Sequence, residues 1–281
     1  MPPAAILTAA SKSNTTGGTF ADTLTANAGD TLSIPTYNPG AARIVSIWGG
    51  TKTAVAEFEM YSTRTEGFHD TVGGFRWSVP LGLAGTGSVS GAFTAIADNV
   101  EIPVFPADTI TIKATTTASD NAAVVYETVY DDLPGVGAAQ FTDWTTIQSL
   151  YDGSVGIEWG PTCSGTAGAW GASRALTADD NRFQGLRWYA LLGVTVRTPI
   201  AAIGFISNLW GGQRVGLPAG AANLNNSTWF VDRSQKHNMP LIPYFNQADA
   251  ANILGYAMDV VASTTPLTVL NIVRLTGKPG G

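Results

Sequence analysis

One tetrapeptide occurs twice in this chain, and the spacing constrains the fold more than anything else in it. Ile102-Pro103-Val104-Phe105 returns as Ile242-Pro243-Tyr244-Phe245, 140 residues later in a chain of 281. The flanks correspond as well. Asn99 precedes the first copy and Asn238 the second; an acid follows each, Asp108 or Asp249, and then an apolar segment, 110–113 or 253–256. Each half closes on a stretch of one type, 122–130 and 267–275. Upstream, 44–47 parallels 188–194, and 55–61 parallels 200–208. Repetition in one order predicts a tandem duplication of one module, with domains over 1–134 and 135–281. Leu133-Pro134-Gly135-Val136-Gly137 interrupts any regular element and is the expected linker. Trp-Gly-Gly, at Trp48 and at Trp210, follows different strands and carries no weight.

The module reads as β. Val55, Glu57, Glu59 and Tyr61 fall on one face of an alternating segment, with Ala54, Ala56, Phe58 and Met60 on the other. Residues 109–113 alternate in the same way, and 122–130 is rich in Val and Tyr. Helical patterns are confined to 141–150 and 247–256. Many short strands with Gly and Pro between them predict an all-β chain. Six to eight strands per half predict two tandem two-sheet β-sandwiches. The repeated tetrapeptide is expected at a strand entrance, where proline removes no ladder bond. Ile102, Phe105, Ile242 and Phe245 are then equivalent core anchors, with both phenylalanines buried.

Charge narrows the function. Only 13% of residues are charged and the net charge is −6, against about 25% charged in ordinary domains. Specific nucleic-acid binding is not expected, because phosphate neutralisation needs clustered Lys and Arg. No apolar run approaches the ~20 residues of a membrane-spanning helix. The run 4–10 lacks a basic region before it, so no signal peptide is expected. Without one, the sequons at Asn14 and Asn226 mean little. Cys163 is the one cysteine, which excludes an internal disulfide and a cysteine-based zinc site.

Catalytic constellations are missing. His69-Asp70 has no Gly-x-Ser-x-Gly nucleophile to serve, and His237 reads as a loop residue. The glycine-rich stretch 85–91 lacks the Lys and the strand–helix context of a phosphate loop; 165–171 is a similar loop. Glu57 and Glu59 share one strand face, whereas glycoside hydrolysis sets two carboxyls across a cleft. Asp131-Asp132 and Asp179-Asp180 are oxygen clusters of the kind calcium takes, without EF-hand spacing. They are the only metal candidates, and no cofactor and no enzymatic activity are expected. Six of the eight tryptophans lie in the second half, as core or as interface anchors.

Five lysines against ten arginines, with aromatics retained, is the composition of interfaces. A weakly charged chain of this size is expected to cover its faces with copies of itself. Halves of about 140 residues, the repeated Ile102 to Phe105 and Ile242 to Phe245, and the Pro134-Gly135 linker together resemble the double jelly-roll major capsid proteins of tailless icosahedral viruses. The resemblance implies an all-β chain of two tandem jelly-roll-like β-sandwiches or barrels, and a homotrimer of pseudo-hexagonal outline that tiles a shell and resides in the virion. It also implies assembly in the host cytoplasm, with other capsid proteins or an underlying membrane as further partners. No catalytic residue carries over. The alternative is a carbohydrate-binding adhesin or receptor-binding module that uses Trp170, Asp179, Asp180, Asn225 and Asn226. A glycanase relative is a third reading, weakened by the missing carboxylate pair.

Overall fold

The computed structural model describes residues 3–35, 42–51, 57–62, 64, 75–78, 94–132, 139–196, 200–218, 225–258 and 268–280. His69, Asp70, the 85–91 stretch and the 133–137 linker lie outside them, and so does the boundary drawn at 134/135. The first half carries β1 (Ala4–Ser13), β2 (Gly18–Thr23), β3 (Thr25–Ala26), β4 (Ala42–Thr51), β5 (Glu57–Tyr61), β6 (Phe75–Ser78), β7 (Thr94–Val104), β8 (Thr111–Thr116) and β9 (Asn121–Tyr130). The second carries β10 (Phe141–Thr142), α1 (Trp144–Leu150), β11 (Tyr151–Trp159), β12 (Arg174–Ala175), β13 (Trp188–Val196) and β14 (Ala202–Ile206). It continues with β15 (Arg214–Pro218), β16 (Asn225–Asn226), α2 (Trp229–His237), β17 (Ile242–Asn246), β18 (Leu254–Met258) and β19 (Thr268–Leu275).

The two halves share one topology. With β3, β10 and β16 set aside, each half has eight strands. Counted in chain order, they form one sheet of order 1-8-3-6 and a second of order 2-7-4-5, in both halves. Among the described residues every sheet draws its strands from one half. These are two jelly-roll-like sandwiches in tandem, each with two facing sheets; among the described residues neither closes into a barrel. The third strand of each half, β4 or β13, also carries a bulge, between Ile44 and Ser46 or between Leu191 and Gly193. A bulge bends its strand and flips the following side chains, so the two sheets share a device as well as an order.

The repeated tetrapeptide falls on the sixth strand of both halves, β7 and β17. Its first residue is buried in both copies, at Ile102 and at Ile242. Its last is not. Phe245 is fully buried, stacked on Tyr189 and edge-on to Phe183, with ring centres 6.0 and 5.6 Å apart. Phe105 is only half-buried, just past the end of β7, with the Arg64 guanidinium 5.8 Å from its ring centre. Period two explains the difference. Residues three apart point to opposite faces of a strand, so Ile and Phe cannot both enter one core. Ile102 and Val104 take the inner face of β7 and leave Phe105 outside. In the second half, α2 packs on β13 and β17, which covers the outer face too and buries Ile242 with Phe245.

Two local readings also change. The helix expected over 247–256 is a short 3-10 turn, Gln247–Asn252, followed by β18. A side chain at Gly255 would meet the Trp159 ring at 2.3 Å; glycine lets the strand lie against that indole. The segment before Ile242 is a helix instead of a loop, and His237 closes it. Asn238 follows in the left-handed conformation (φ 50°) and caps α2.

Candidate assembly surfaces and the joint between the halves

The outer face of the first 1-8-3-6 sheet is covered by the second half. Leu7 and Ala9 of β1, Trp48 of β4 and Ala123 and Val125 of β9 pack with Ala201, Ala202, Met258 and Trp170. Ala202 and Met258 belong to the second 2-7-4-5 sheet. Beside this patch Ala5, Val45 and Val129 meet Met239 and Leu241, just beyond α2. The contact therefore joins one kind of face, from the first module, to a different kind, from the second.

Two buried ion pairs cross it. Arg214 Nε donates to Asp30 Oδ1 at 2.7 Å, with side-chain exposures of 2% and 1%. Trp170 Nε1 at 2.7 Å and the Ala9 amide at 3.1 Å donate to the other Asp30 oxygen. Arg214 Nη2 reaches the Ala28 carbonyl at 3.0 Å. The guanidinium lies between the rings of Trp170 and Tyr256, 4.2 and 4.7 Å from their centres. Gly204 makes this possible, because a Cβ there would strike the Arg214 stem at 2.6 Å. The second pair, Arg233 Nε to Glu127 Oε2 at 2.9 Å, ties α2 to β9, again buried on both sides. Charges removed from water need this degree of pairing and hydrogen bonding to be tolerated.

The remaining sites from the sequence do not converge. Asp131 binds Arg43 at 2.9 Å, Asp180 binds Arg182 at 2.9 Å, and Asp179 is held by Arg174 and by the Gly160 amide. The hydrogen bond from Arg174 lowers the Asp179 carboxyl below its usual range. Among the described residues no three His, Cys, Asp or Glu side chains gather as a metal site. Trp170 belongs to the joint, and Asn226 Nδ2 donates to the Pro218 carbonyl at 2.8 Å. Glu57 is exposed, but its neighbour two along, Glu59, is buried opposite Lys113. His237 sits at the end of α2 with its Nε2 enclosed. Burial first, and then Lys236, Arg43 and Arg233, hold its imidazole down to about 4, with Glu101 opposing them.

Sequence reading missed the joint residues. Asp30, Glu127, Arg214 and Arg233 are far apart in the chain, and no local pattern marks a charge that will be buried. The exposed apolar residues were equally silent: Leu186 at 95% and Tyr151 at 53% exposure. Both lie at one end of the second 1-8-3-6 sheet, where Tyr151 and Trp188 pair with Leu275 from opposite sides. Arg187 and Arg274 flank them, bridged by Asp152 at 2.9 and 2.8 Å. Leu186 is in the left-handed conformation, φ 53°, which is costly for a bulky side chain.

No protein-family profile matches the chain, and no curated protein matches it. Among solved structures, the chain is similar to one described as the triple jelly roll fold and turret assembly in an archaeal virus. That likeness has 9% identity and a TM-score of 0.26, over 99% of this chain and 81% of the other. At that level the fold assignment rests on the strand order of the two halves alone.

Proposed function

We propose that this chain is a viral shell subunit, a major capsid protein that associates with itself as a pseudo-hexagonal trimer and then as a lattice in the virion. One observation carries the reading: two modules of identical strand order packed face to back within one chain. Such a contact is heterologous, joining unlike faces, and a heterologous contact repeated between chains generates a ring when its rotation closes. Three chains supply six modules. The first 2-7-4-5 sheet turns its outer face away from the joint, with Thr111, Lys113 and Thr115 half-buried on β8. In this reading that face ends the stack within one chain and is the one a neighbouring chain would meet; the second 1-8-3-6 sheet carries α2, whose Arg233 already reaches the joint. Tyr151, Arg187 and Arg274 are residue types enriched at interface hot spots, and Leu186 adds exposed apolar area beside them.

In this reading the role is structural and no cofactor takes part. Other capsid proteins or a membrane beneath the shell are further partners, and assembly occurs in the host cytoplasm. Electron microscopy of concentrated protein tests it. Hexagonal arrays or closed particles are expected. Dispersed single chains at every concentration, with retention on a glycan column, would favour the adhesin reading instead.

A further inference from the structure

A cavity of about 100 Å³ opens where the first sandwich meets the joint. Thr8, Tyr126, Thr128 and Tyr130 line it from the inner side of β1 and β9, the segment around Asp30 closes one side, and Arg214 reaches it from the second half. Its wall is mixed, with Ile6 and Ile34 among the hydroxyls. Arg214 is 2% exposed, and its Nη1 is enclosed without a hydrogen-bond partner, although Nε and Nη2 are both engaged. A buried guanidinium nitrogen left without an acceptor is expensive. Polar cavities of this size hold water, at about 30 Å³ per molecule, whereas empty ones are apolar.

We propose that this cavity is a binding site for a small uncharged, hydroxyl-bearing guest, either ordered water or a short polyol, that accepts from Arg214 Nη1 and hydrogen-bonds the hydroxyls of β9. The charge balance selects the guest. Asp30 already neutralises Arg214, so an added anion would face the carboxylate and an added cation the guanidinium. Tyr126 and Tyr130 stay protonated, because burial raises both phenols, Tyr130 to about 12, and they remain donors at any ordinary pH. The guest touches both halves, so the site is complete only in the folded tandem.

The test is a crystal structure of the full chain, grown without polyols or oxyanions, at a resolution that shows water. Ordered density within hydrogen-bond distance of Arg214 Nη1 is expected; an empty cavity overturns the proposal, and so does a bound ion. A second crystal equilibrated in ethylene glycol separates the two sources: exchange marks a polyol site, and unchanged water marks water as the guest. In solution, Tyr130→Phe and Thr128→Val are each expected to lower Tm by about 2–4 °C. A dry cavity would give no change or a rise for both variants, which would also overturn it.

Discussion

The first strand of each half holds the same place in the same topology, yet the two are built differently. β1 reads AAILTAASKS and buries its first seven residues, whereas β11 reads YDGSVGIEW and buries only Ile157 and Trp159. β1 has β9 and β3 beside it and the second module across its outer face. Among the described residues β11 is the last strand of its sheet, paired with β19 alone. A strand covered on both faces loses its alternation and reads as a continuous apolar run. The run at the start of the chain is thus the trace of an intramolecular interface, and the difference between the two strands records which module is stacked upon.

That comparison can be broken most forcefully at the joint. Arg214→Ala leaves Asp30 buried without its cation, and loss of one partner of such a pair costs about 3–5 kcal/mol. Calorimetry is expected to show the single transition of the parent splitting as the two sandwiches uncouple. One cooperative transition at the parent temperature would mean that the joint contributes little.

The phenylalanines sharpen it next. Phe245→Ala is expected to cost about 3–5 kcal/mol, as for a fully buried ring. Phe105→Ala is expected to cost about 1 kcal/mol, because that ring is half in water. Equal losses in denaturant melts would contradict the face assignment drawn from period two.

His237 makes the stability of the fold depend on pH. Its imidazole titrates near 4 in the fold and near 6.5 when unfolded. The unfolded chain therefore binds the proton first. This contribution to stability is complete above pH 6.5 and is lost as pH falls toward 4. The ring is only partly enclosed, so the loss is about 1 kcal/mol after solvent screening. His237→Gln is expected to flatten the stability curve in that window; an unchanged slope would place the titration elsewhere.

The smallest effect on the fold is expected at Leu186. Leu186→Gly relieves a positive φ and removes an exposed side chain, so Tm stays level or rises by a degree or two. Self-association measured by sedimentation is expected to weaken at the same time. Unaltered association would remove Leu186 from the contact surfaces.

Much of the tandem fold was legible in the sequence. The described residues of the paired segments 44–47 with 188–194, 55–61 with 200–208, 110–113 with 253–256 and 122–130 with 267–275 fall on topologically equivalent strands, the third, fourth, seventh and eighth. Strand order depends on long-range pairing, but a duplicated order repeats its local patterns, and that is what a sequence displays. α2 was missed although Asp232 in its first turn and Lys236 and His237 in its last suit a helix. Trp229, Phe230 and Val231 at its start weaken the helical signal. Phe105 was misplaced because a four-residue match says nothing about which face its fourth residue takes. The joint was invisible, since Asp30 and Arg214 look like any surface acid and base until tertiary structure brings them together across 184 residues.

The face-to-back stacking inside one chain is expected to continue between chains and to close. Native mass measurement of the purified protein at micromolar concentration tests it most directly, repeated with a chelator to separate assembly from any bound cation. The account predicts a species of three chains under both conditions, converting to larger particles on concentration. A stable single chain in both, with no particles at any concentration, would contradict it.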